Sequence, residues 1–66
     1  MIVYITEVQH PQDHRKGRWA VVSGMASARR IAAQNQAFEN TWLIIRNEKR
    51  TEILAYRDPA GRWSDA

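Results

Sequence analysis

No cysteine stands anywhere in this 66-residue chain, and that absence constrains the fold more than any residue that is present. Neither a disulfide framework nor a thiolate metal cluster can supplement the interior, so a very small domain must be held by apolar packing alone. A chain of this length buries a smaller share of its surface than a large one, and has room for a single thin core over residues 1–66 rather than a deep, closed active-site cavity. The opening MIVYITEVQ lacks a basic lead-in and a small-residue cleavage site, and reads as a strand rather than a signal peptide. Nothing approaches the length of a membrane span. An intracellular, cytoplasmic protein is the expectation.

The apolar residues then set the elements. Met1 to Gln9 alternates, with Ile2, Tyr4, Thr6 and Val8 on one face and Val3, Ile5 and Glu7 on the other, as a half-buried strand requires. HPQDHRKG, residues 10–17, carries loop chemistry, and RWAVVS from Arg18 reads as a second strand returning in a hairpin. Ser23 is placed to cap a helix from about Met25 to Phe38. TWLIIR, residues 41–46, and TEILAYR, residues 51–57, are two more strands across the polar turn NEKR. Asp58-Pro59-Ala60-Gly61 has proline where a type I turn wants a preset φ, so Arg62-Trp63-Ser64 folds back as a fifth short strand. The order ββαβββ, joined by short antiparallel connections, predicts an α+β fold in which one helix covers a sheet of about five strands.

Projected at 100° per residue, the helix turns Ala28, Ile31, Ala32, Asn35 and Phe38 toward the sheet. The outer sector holds Arg29, Ala33 and Gln36, flanked by Arg30, Ala26 and Ala37, with Gln34 at the boundary. Alanines between long polar side chains let another surface approach closely, while arginine offers bidentate pairing to carboxylate or phosphate. A charged, alanine-rich outer face is also what any solvated helix shows. Against that plainer reading, no Asp or Glu lies between Ser27 and Ala37 to pair the arginines at i,i+4.

The net charge of +3, from 10 Lys and Arg against 7 Asp and Glu, favours anionic partners and argues against a protein that works by mimicking nucleic acid. His10, Asp13 and His14 lack a convincing fourth ligand or rigid support, so no metal or cofactor is expected. Ser23, Ser27 and Ser64 sit in helix-start or chain-end contexts with no base to activate them, so no enzyme activity on a small-molecule substrate is expected. Trp19, Trp42, Trp63, Tyr4 and Tyr56 suit a stacking platform for single-stranded nucleic acid, but a core this small also needs large aromatics, which is the better assignment for most of them. Arg18, Arg57 and Arg62 lie near these aromatics in sequence and would add nucleic-acid contacts; Arg57 and Arg62, flanking the last turn, alternatively suit a basic rim that holds duplex phosphates, or equally are exposed charges at strand ends.

In order along the chain, YITEVQ, SARRIAAQNQAF and ILAYRDPAGRW resemble a family of small phage-encoded anti-CRISPR proteins, the ninth-named group of inhibitors of the type I-F system. The resemblance spans nearly the whole chain and is strongest in the helix and the C-terminal segment. It implies a five-stranded antiparallel sheet with one helix, and binding to the RNA-guided surveillance complex of the bacterial host, the Csy or Cascade assembly, at its Cas7 backbone beside the guide RNA. There the family obstructs pairing of guide with target DNA, and it is also associated with holding duplex DNA nonspecifically. Carried over by position, the partner contacts are Arg29, Arg30 and Gln36 with Tyr4 nearby, and Arg57 and Arg62 belong to a DNA-contacting patch. Gln34 departs from the family, which tends to have lysine there, so an amide hydrogen bond replaces a charged contact. The alternative kept open is a free-standing basic nucleic-acid-binding module.

Overall fold

The computed structural model describes residues 1–10, 17 and 19–66. Five strands form one antiparallel sheet: β1 (Val3–Val8), β2 (Trp19–Val22), β3 (Trp42–Asn47), β4 (Ile53–Arg57) and β5 (Trp63–Asp65), in the spatial order β2-β1-β3-β4-β5. The helix α1 (Met25–Gln34) enters between β2 and β3 in the chain, so the ββαβββ order and the α+β class hold. β1 and β3 lie at the centre, paired from Val3 opposite Asn47 to Val8 opposite Trp42. The predicted alternation is kept. Val3 and Ile5 join Val22, Ala28, Ala32, Phe38, Leu43, Ile45 and Ala55 in the core between helix and sheet, and Tyr4, Thr6 and Val8 take the other face.

Two expectations about the helix need correction. Its N-cap is Gly24, with no side-chain cap bond; Ser23 instead meets Ser27, the two hydroxyl oxygens 3.4 Å apart. The helix also does not run to Phe38. Asn35 takes an extended conformation and its side-chain oxygen accepts the Ala37 N–H at 3.0 Å, starting a separate 3-10 helix over Gln36–Phe38. An asparagine oxygen competes with the helical ladder in this way, favouring a new cap over another turn. The break lets Phe38 enter the core while Asn35 stays exposed, where an unbroken helix would have placed both inward.

The remaining turns are built by polar side chains. The Asn47 side-chain oxygen accepts the N–H groups of Thr51 and Glu52 at 2.8 and 3.0 Å, and the Arg50 N–H bonds the Asn47 carbonyl at 2.9 Å. That clasp holds Arg50 at φ 58, a left-handed conformation normally given to glycine or asparagine. In the β4–β5 turn, the Gly61 N–H bonds the Asp58 carbonyl at 2.9 Å, and the Asp58 side chain accepts from Ala60 and Arg62. Gly61 lies at φ 91, which fits the sequence reading of that turn. The loop predicted over 10–17 lies outside the described residues apart from its ends. At one end, a Cβ on Gly17 would stand 2.1 Å from the Glu7 carbonyl oxygen, so glycine there is a steric requirement.

Candidate interaction surface

The outer face of α1 follows the predicted order. Arg29, Arg30, Ala33, Gln34 and Gln36 are all exposed, and among the described residues no carboxylate pairs with either arginine. Arg29 is not idle, however: its guanidinium lies over the Trp63 ring, 5.3 Å from the centroid. Trp63 pairs with Arg57 in the sheet and packs against the core from the helix side. The indole therefore orients the Arg29 side chain through a cation–π contact, while the edge of the guanidinium remains able to donate. Sequence reasoning missed this role of Trp63; the signal was its parity with Ala55 and Arg57, which needs the β4–β5 register.

Beyond the helix, Ala33, Gln34, Asn35, Gln36, Glu39 and the Pro59–Gly61 turn line a cleft of about 450 Å³. The break at Asn35 gives this cleft its rim of side-chain amides, each able to donate and accept. Arg62 is exposed between Gly61 of the cleft and Trp63 beneath Arg29. The helix face, the cleft and β5 thus form a continuous surface of guanidinium, amide and methyl groups.

Arg57 also lines this cleft, but not as an exposed cation. Expected on an exposed basic rim, it is 6% exposed, because strand alternation from Ala55 turns it under the helix. Its Nη1 donates to the Ala32 carbonyl at 2.9 Å and its Nη2 donates to the Phe38 carbonyl. The helix has no basic residue in its last turn, so Arg57 brings from β4 the cation that its C-terminal carbonyls require. Burial pushes the guanidinium pKa below its ordinary value, with the Asp58 carboxylate acting in the opposite sense; an arginine stays charged through such a shift. Arg57 is a structural clamp and leaves the candidate DNA-contacting set.

Tyr4 is also separated from the helix residues, since it lies on the sheet face turned away from α1. Arg18, Asp13 and His14 lie outside the described residues. Among the described residues no three His, Asp or Glu side chains come together as metal ligands, and no helix is long and apolar enough to cross a membrane.

No protein-family model matches the sequence, and no curated protein matches it. Among solved structures, the chain is similar to AcrIF9, with a TM-score of 0.74 and 30% sequence identity over 100% of this chain and 86% of that one.

Proposed function

The chain belongs to the AcrIF9 family of type I-F anti-CRISPR proteins, and from that premise we propose that it inhibits the type I-F surveillance complex in the bacterial cytoplasm by binding its Cas7 backbone through the outer face of α1. Arg29, Arg30, Ala33, Gln34 and Gln36 make the contact. The observation that carries this reading is an exposed arginine pair with no carboxylate partner among the described residues, one member already oriented by Trp63. A side chain held in place before binding loses less conformational entropy when it docks.

Inhibition then needs no chemistry. Guide and target zip together along a basic channel, and a rigid body seated on that path stops the process by occupying it. The amides of Gln34, Asn35 and Gln36 matter here because a basic channel repels a cationic visitor, and amides bond to either sign of charge without adding any. Arg62, exposed beside the same surface, is available to hold duplex phosphates nonspecifically. A free-standing module built on Arg18, Arg57 and Arg62 has less support, because Arg57 is committed to the helix end.

The test is to mix the protein with purified type I-F complex and follow co-migration and loading of target DNA. Co-migration with loss of loading is expected; a complex that loads its target normally in saturating protein contradicts the proposal.

A further inference from the structure

The sheet face opposite the helix has its own organisation. Every exposed large hydrophobic among the described residues, Met1, Ile2, Trp19 and Val21, lies in the first two strands or just ahead of them. Trp19 is 65% exposed, far more than an indole needs for packing. Register puts it opposite Thr6 and puts Val21 opposite Tyr4, all on the face away from α1. The Tyr4 and Trp19 rings lie 6.4 Å apart at 38°, and the Arg50 guanidinium stands over the Tyr4 ring, 5.0 Å from its centroid. Arg46, opposite Tyr4 on β3, donates to the Thr6 hydroxyl at 3.3 Å. Two aromatic rings and two guanidinium groups thus share one surface.

Arg50 adds a second argument. It occupies a left-handed backbone position where glycine or asparagine is the ordinary choice. A strained position occupied by a long cationic residue, whose head lies on an aromatic ring, points to a role for the side chain rather than for the turn.

We propose that Trp19, Tyr4, Arg46 and Arg50 form a stacking platform for single-stranded DNA, bases lying on the indole and guanidinium planes and phosphates meeting the two arginines. Trp19 and Arg50 are the exposed members of this group, and alternating π surfaces with cations complement a flexible polyanion that carries exposed rings. The Thr6 hydroxyl accepts from Arg46, which holds that guanidinium on the same face as the two rings. The inference does not rest on the Cas7 reading: it concerns the other side of the sheet and needs no protein partner.

The experiment is fluorescence anisotropy of a labelled oligothymidine with the full chain alone at low salt, beside an abasic strand of equal length, an oligouridine and a duplex. Binding is expected to favour oligothymidine over the abasic strand and the duplex, and to weaken about tenfold in Trp19→Ala. Arg50→Gly relaxes the turn while removing the guanidinium, so its thermal midpoint should stay level or rise as its affinity falls. Circular dichroism verifies that both variants are folded. No binding, equal affinity for the abasic strand, tighter binding of oligouridine than oligothymidine, or wild-type affinity in both variants would each overturn the platform.

Discussion

Arg57 is the residue on which most of the architecture turns. Its two donors close the ends of both α1 and the 3-10 helix, and removing them leaves two carbonyls under the helix without that partner. Arg57→Met should cost about 3 kcal/mol, most of the roughly 3–5 kcal/mol that a core this small can supply. A urea titration reads the loss directly. Arg57→Lys should recover less than half of it, because a single ammonium cannot reproduce a planar fork aimed at two acceptors. The exposed arginines behave differently: Arg30→Ala, with no partner among the described residues, should move stability by no more than about 0.5 kcal/mol. Two arginines at opposite extremes of burial look alike in composition. Only the parity of β4, counted from Ala55, separates them, and the sequence reading used that parity for β1 but did not extend it to Arg57.

At the scale of elements, the strands and their order were legible because β1 alternates with period two and the later strands are runs of β-branched and aromatic residues bounded by turn residues. The helix end was not, because the stop signal is a local competition. Asn35 lies in the inward sector of an ideal helix, yet its side chain captures the Ala37 N–H and ends the ladder. Asn35→Ala should therefore cost about 1 kcal/mol and lengthen the helix, visible as added far-ultraviolet helical signal in circular dichroism. The β1–β2 pair depends on Gly17 in a different way. A methyl group there meets the Glu7 backbone, so Gly17→Ala should destabilise by about 1–3 kcal/mol, with faster hydrogen exchange at the β1–β2 amides than at β3–β4. The outward placement of Arg29, Arg30 and Ala33, on which the proposed partner surface rests, was legible from helical spacing alone. Trp63 under Arg29, and the separation of Tyr4 onto the other face, both depend on pairing between distant strands, which spacing along the chain does not contain.

The molecule as a whole measures 26 × 24 × 20 Å, enough to cover on the order of seven base steps at about 3.4 Å each. A body that small obstructs a channel only if it is held firmly, and its grip is assigned to one helix face. The most direct measurement is co-migration of Arg29→Ala/Arg30→Ala/Gln36→Ala with purified type I-F complex, beside the unaltered chain and with urea midpoints for both. The account predicts a triple variant whose stability stays within about 1 kcal/mol of the parent and which neither co-migrates nor prevents target loading. A folded triple variant that still binds and still inhibits would contradict it.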